Sequence, residues 1–135
     1  VDRLTEVLVI QLLRWYINNQ ENNQGYFQAL GDDRLNRALS LIHKQPAKSW
    51  TVESLGRAVG MSRTAFATHF SSTIGMTPLA YLGQWRMHIA YELLAESNDS
   101  MLSIAEQVGY KSEASFGKAF KKIIGLSPGQ VRKKE

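Results

Sequence analysis

The chain contains no cysteine, which excludes disulfides, thiolate metal sites and cysteine nucleophiles. It has three prolines, Pro46, Pro78 and Pro128, and each falls at the edge of a helix-like stretch rather than inside one. No uncharged apolar run reaches the roughly 18 residues that a membrane-spanning helix requires, and no signal-peptide pattern is present. No segment alternates with period two, so strands are not expected. P-loop, dinucleotide, HExxH and EF-hand patterns are all missing. His43, His69 and His88 do not pair with one another at helical ligand spacing. The reading is therefore of a protein that is not an enzyme, with no catalytic residue, no metal site and no cofactor. Trp15, Trp50 and Trp85 sit at helix positions or a helix boundary and read as packing residues.

What is present is an ordinary apolar fraction, 44% of 135 residues, sufficient for one domain or two small ones. Sixteen Lys+Arg against twelve Asp+Glu give a net charge of +4, and their placement is uneven. Between Lys111 and Lys134 stand Lys111, Lys118, Lys121, Lys122, Arg132, Lys133 and Lys134, with Glu113 as the only acid. Such an end is either a solvated surface or a footprint for a polyanion.

The strongest internal signal is a repeat. Thr51–Pro78 and Ser100–Pro128 align with Leu55 on Ile104, Val59 on Val108 and Gly60 on Gly109 at one offset. One residue later in register, Phe66 falls on Phe116, Phe70 on Phe120, Gly75 on Gly125 and Pro78 on Pro128. One supersecondary unit is built twice, with one residue inserted in the second turn.

Residues 2–20 lack glycine and proline and carry Leu4, Val7, Leu8, Leu12 and Trp15 at helical spacing, widened by further apolar residues. That helix is expected to pack on the rest of its own molecule, with a dimer contact or a seam to another domain as the alternatives. Residues 18–31 form a polar connector with Gly25 and Gly31. Asp32 and Asp33 open a helix to about Gln45 with Leu35, Ala38, Leu39 and Ile42 as its inner face. In repeat one, Thr51 or Ser49 caps a short helix with Val52, Leu55, Ala58 and Val59 inside, and Gly60 ends it. Ser62 caps a second helix, with Phe66 and Phe70 inward, that Gly75 stops. Gly56 and its counterpart Ala105 are small where the two helices cross. A glycine-containing turn between two short helices is the mark of a helix-turn-helix.

Between the repeats, Thr77 and Pro78 open a long helix to about Ser97 carrying Leu79, Leu82, Trp85, Met87, Ile89, Ala90, Leu93 and Leu94. In repeat two Ser100 caps a helix with Leu102, Ile104, Ala105 and Val108. Ser112 caps the next, with Phe116, Ala119, Phe120 and Ile123. Ser127 and Pro128 begin a last turn before a charged tail, Arg132 to Glu135, expected to fray. The fold class is all-α.

Apolar positions fix the outward faces of the second helices. Repeat one presents Arg63, Thr64, Ala67, Thr68 and Ser71. Repeat two presents Glu113, Ala114, Gly117, Lys118 and Lys121. Thr and Ala methyls and hydroxyls suit thymine or phosphate contacts, Lys118 suits guanine or phosphate, and Glu113 can accept from cytosine. Lys111, Lys121 and Lys122 are expected on phosphates, as are Ser71 and Arg63, the latter having guanine as an alternative. His69 lies at the edge of this face and reads as a solvent or core-edge residue.

Two helix-turn-helix units with an F-x-x-x-F-K-K-x-x-G-x-S/T-P run, in AEQVGYKSEASFGKAFKKIIGLSPGQVR (residues 105–132), resemble the DNA-binding domain of AraC/XylS regulators. LGRAVGMSRTAFATHFSSTIGMTPLAYL matches in the same register. The resemblance covers residues 32–134 and implies two homeodomain-like three-helix units joined by a rigid helix: a first helix-turn-helix at about 51–75, a linker helix at 78–97 and a second helix-turn-helix at about 100–125. It implies a bacterial, cytoplasmic, nucleoid-associated transcription regulator that binds double-stranded promoter DNA and works with RNA polymerase. The base-facing positions it implies are Thr64, Ala67, Thr68, Glu113, Ala114, Gly117 and Lys118. Residues 1–31 then read as the end of an upstream effector or dimerisation domain, often cupin-like in this family. Repeat one departs from the family by carrying small residues where larger polar ones are usual. Two rival readings follow: a protein-interaction module that keeps the fold without DNA, and a small helical enzyme, for which no cluster of titratable residues is found.

Overall fold

The structure, a computed structural model, describes residues 33–133. The expected helix at 2–20, the connector to Gly31 and the cap at Asp32 lie outside the described residues. Seven helices follow one another: α1 (Asp33–Lys44), α2 (Val52–Ala58), α3 (Arg63–Ile74), α4 (Pro78–Glu96), α5 (Met101–Gln107), α6 (Glu113–Ile124) and α7 (Pro128–Lys133). There is no strand among the described residues.

Hydroxyl caps set where the helices start. Thr51 and Ser54 form a reciprocal capping box: the Ser54 amide donates to Thr51 Oγ1 and the Thr51 amide to Ser54 Oγ, both at 2.9 Å. Ser49 is not used. The hydroxyls of Ser62, Thr77, Ser100 and Ser112 accept from the amides of Ala65, Ala80, Ser103 and Ser115 at 3.0–3.1 Å. Each satisfies a donor that the first helical turn leaves without a partner.

The turns of the two repeats share the same closing hydrogen bond. The Met61 amide donates to the Gly56 carbonyl at 2.8 Å, and the Tyr110 amide to the Ala105 carbonyl at 2.8 Å. The register therefore holds through Tyr110, and the inserted residue is Lys111. Gly56 is required by the crossing: a Cβ there would lie 3.0 Å from the Met61 carbonyl oxygen and 3.2 Å from Phe66 Cβ. Its counterpart Ala105 is fully buried in the second unit.

The buried residues form two cores. The first takes Leu35, Ala38, Leu39 and Ile42 from α1, Leu55 and Val59, Phe66, Phe70 and Ile74, and Tyr81 and Leu82 from α4. The second takes Met87, Ala90 and Leu94 from α4, then Ile104, Ala105, Val108, Phe116, Phe120, Ile124 and Val131. The phenylalanine pairs repeat their geometry, with ring centroids 5.6 Å apart for Phe66–Phe70 and 5.7 Å for Phe116–Phe120.

Helix α4 thus serves both units: its first half closes the core of α1, α2 and α3, and its second half opens that of α5, α6 and α7. At about 3.6 residues per turn, Pro78, Tyr81, Leu82 and Trp85 fall on one side and Met87, Ala90 and Leu94 on nearly the opposite one. This explains its lack of a single apolar stripe. It also corrects the reading of Leu79, which lies on the side not covered in the first half of the helix and is 46% exposed. Leu102 is likewise exposed because it faces away from Ile104, Ala105 and Val108, and Ala58 falls at the edge of its buried stripe and is exposed. In their place Tyr81, His88, Ile74 and Ile124 are buried.

The expected fraying of the tail is corrected at Arg132. Its guanidinium donates to the carbonyls of Leu94, Ser97 and Asp99, at 3.4, 3.0 and 2.6 Å. These carbonyls belong to the last turn of α4 and the residues just past it, where helical partners run out. Lys134 and Glu135 lie outside the described residues.

Candidate nucleic-acid interface

The second helix of each repeat is held by its inward rings, and this dictates what it offers outward. In α3, Phe66, Phe70 and Ile74 are buried, which leaves Arg63, Thr64 and Thr68 exposed and Ala67 and Ser71 half-buried on the far side. In α6, Phe116, Phe120 and Ile124 are buried, leaving Glu113, Ala114, Lys118, Lys121 and Lys122 exposed and Gly117 half-buried. Lys111, in the longer turn just before α6, is exposed. Each sequence-derived site residue therefore lies on an accessible part of a second helix or of the turn that introduces it.

The two faces differ chemically. Besides Arg63, that of α3 is made of hydroxyl and methyl groups, which suit thymine methyls and phosphate oxygens. That of α6 carries three lysines, with Lys111 beside its start. Among the described residues none of Arg63, Lys111, Lys118, Lys121 and Lys122 has an ion-pair partner. A cation with no carboxylate partner is available to an external anion without first breaking a bond. His69 is half-buried at the edge of the α3 face.

The helix that spaces these faces, α4, has 19 residues, a length of about 28 Å at 1.5 Å per residue. That is of the same order as the roughly 34 Å between successive major-groove faces.

Between α1 and α4 lies an aromatic stack that the sequence reading did not find. His43 stands 4.2 Å from the Trp85 ring and His88 5.5 Å from it on α4. His43 Nε2 is 2.7 Å from the Tyr81 hydroxyl. Burial pushes the His43 ring down to about 4, because a charged imidazolium is poorly solvated there. The stack joins α1 to α4 and is a packing device. Two arginines were also missed, Arg132 (above) and Arg86, whose Nε donates to the Pro46 carbonyl at 2.7 Å. Both act on backbone carbonyls, which leave no side-chain mark in a sequence.

Among the described residues no group of three or more His, Asp or Glu could hold a metal ion, and no helix is long and apolar enough to cross a membrane.

Comparison with known proteins bears on the family and the fold. A family model described as a helix-turn-helix domain matches residues 55–134. A Streptomyces lividans protein described as an AraC-like transcription regulator is 36% identical over 133 residues, 98% of this chain and 44% of that protein. The chain thus spans less than half the length of this curated relative. Among solved structures, the C-terminal domain of AraT, a response regulator from Geobacillus stearothermophilus, superposes with a TM-score of 0.75 at 30% identity, covering 77% of this chain and 87% of that one. The DNA-binding domain of AdpA, solved with a target DNA, superposes with a TM-score of 0.72 at 28% identity, covering 76% and 93%.

Proposed function

Because the chain belongs to the AraC-type helix-turn-helix family of transcription regulators, we propose that it binds double-stranded promoter DNA sequence-specifically by placing α3 and α6 in adjacent major grooves. The observation that carries this reading is the pair of outward faces: two second helices, matched position by position, each with its rings inward and its polar or basic residues accessible. Their likeness to the fold of a domain solved with its target DNA supports it.

The roles divide by chemistry. Thr64, Ala67 and Thr68 on α3, and Glu113, Ala114, Gly117 and Lys118 on α6, face base edges. Arg63, Ser71, Lys111, Lys121 and Lys122 hold phosphates, which supplies affinity and register but no sequence information. Repeat two then provides most of the electrostatic attraction, and repeat one contributes close-fitting contacts sensitive to groove shape. The action is binding rather than catalysis.

Three wider readings belong to the same proposal. Residues 32–134 form the DNA-binding domain, and residues 1–31 connect it to an effector or dimerisation domain; similarity to the S. lividans regulator running over 98% of this chain supports a shared organisation beyond the helix-turn-helix. The bound domain works with RNA polymerase. The protein acts in the bacterial cytoplasm, on the nucleoid.

In vitro selection from random-sequence duplexes, followed by fluorescence anisotropy on the enriched duplex, tests the reading. The expected result is a bipartite consensus bound with an affinity that falls steeply with salt. Failure to enrich any sequence at any salt concentration would favour instead a protein-interaction module that keeps the fold without DNA.

A further inference from the structure

The two helix-turn-helix units must be held at a set angle if both second helices are to enter one face of DNA. Helix α4 links them, yet its two halves serve different cores, so a contact that bridges the units directly would fix the angle far more firmly than a single helix. Arg86, midway along α4, makes such a contact. Its Nε donates to the Pro46 carbonyl at 2.7 Å and its Nη2 to the Lys48 carbonyl at 2.9 Å. Its guanidinium also lies over the Tyr110 ring, 5.6 Å from the centroid. Pro46 and Lys48 belong to the loop between α1 and α2, in the first unit. Tyr110 belongs to the turn of the second helix-turn-helix.

The loop that Arg86 grips is itself tied by local contacts. The Trp50 indole donates to the Gln45 carbonyl at 2.9 Å, the Lys48 ammonium sits 4.3 Å over the Trp50 ring, and the Lys48 amide donates to Gln45. The turn on the other side is pressed against it. A Cβ built on Gly109 would meet Arg86 Nη2 at 2.9 Å and Ala47 Cα at 3.1 Å. The equivalent Gly60 of the first turn has nothing within 4 Å. Of the two matched turn glycines, Gly109 lies against the other unit and Gly60 does not. A planar guanidinium suits the task, because one face stacks on a ring while its edge donates to two carbonyls in fixed directions, which an ammonium cannot reproduce.

We propose that Arg86 is a positioning residue that locks the second helix-turn-helix onto the α1–α2 loop and so sets the half-site spacing the protein accepts. The consequence for DNA rests on the proposed DNA-binding reading; the consequence for the angle between units does not.

The experiment is done on the full 135-residue chain. The absence of cysteine allows specific spin labelling at Arg57→Cys and Glu106→Cys, exposed and matched positions on α2 and α5, and the label distance is measured without DNA. The wild type is expected to give one narrow distribution, and Arg86→Gln and Arg86→Lys broadened ones with helix content retained. Tyr110→Leu removes only the ring side of the contact and is expected to broaden the distribution less; it carries the test if Arg86→Gln does not fold. In a second arm, one base pair is inserted between the half-sites of the selected duplex, which turns one about 35° relative to the other. The wild type should lose on the order of 10-fold in affinity, and Arg86→Gln less than about 3-fold. Distributions as narrow as wild type in Arg86→Gln and Tyr110→Leu would overturn the proposal, as would full restoration by Arg86→Lys. If no duplex is selected at all, the DNA reading fails while the label distances still decide the role of Arg86.

Discussion

Lys118 and Lys121 stand one turn apart on the exposed side of α6, away from Phe116 and Phe120. Each neutralised phosphate contact lowers the slope of log affinity against log salt by about 0.9. Lys121→Gln is therefore expected to weaken binding to all sequences alike and flatten that slope by about one. Lys118→Gln should also relax selectivity at one base pair, by about 1–3 kcal/mol, if it reads a base edge. Anisotropy titrations across salt concentrations check both, and unchanged slopes would contradict the assignment. His43 gives a prediction of a different kind. Its folded pKa of about 4 lies below the unfolded value of about 6.5, so between them the unfolded chain binds more protons. Stability should fall as pH drops from about 6.5 towards 4, by on the order of 1–2 kcal/mol, since the ring keeps some contact with water. His43→Gln should lose less over the same interval in urea melts at each pH. At this scale the outward faces were legible in the sequence, because phenylalanines four apart declare which side is inside. Arg86 was not. Its bonds run to carbonyls 40 and 38 residues away, and a carbonyl is the same for every residue type.

At the scale of the element, helix starts were the most legible feature, because a serine or threonine before an apolar-periodic stretch has a definite job. The Ser112 hydroxyl accepts from the Ser115 amide at 3.1 Å, so Ser112→Ala should cost about 1 kcal/mol and loosen the first turn of α6, where Glu113 and Ala114 stand. The shift in urea midpoint measures the first effect, and amide exchange in the first turn of α6 the second. A variant as stable as wild type would show that the cap contributes nothing. Gly56 was legible in the same way, as a small residue where two helices cross, and so was Ala105. The face of α4 was harder to read. A helix that buries one side early and the other side late shows apolar residues all round, so periodicity alone cannot tell that Leu79 is outside and Tyr81 inside. Arg132 was misread because a run of charge before the end of a chain looks like a tail until the carbonyls of Leu94, Ser97 and Asp99 are seen around it.

At the scale of the molecule, the repeat made the architecture legible: two units, one shared helix, all-helical. The separation of the cores was not, because it depends on which half of α4 packs where. That separation predicts a graded response to damage. Phe116→Ala should cost about 3–5 kcal/mol, and amide exchange should quicken through α5, α6, α7 and the Met87–Leu94 half of α4 while α1, α2 and α3 keep most of their protection. Uniform loss of protection would mean that the two cores fold as one. The unequal faces matter at this scale too: α6 offers lysines to phosphates while α3 offers mostly uncharged groups, and α4 with Arg86 presents the two faces to adjacent grooves. The most direct measurement is a hydroxyl-radical footprint on the duplex recovered by selection. The account predicts two protected patches on one face of the DNA, about 10–10.5 base pairs apart, and protection of the second patch alone when Thr64 and Thr68 are both replaced by glutamate. A single patch in the wild type, or patches on opposite faces, would contradict it.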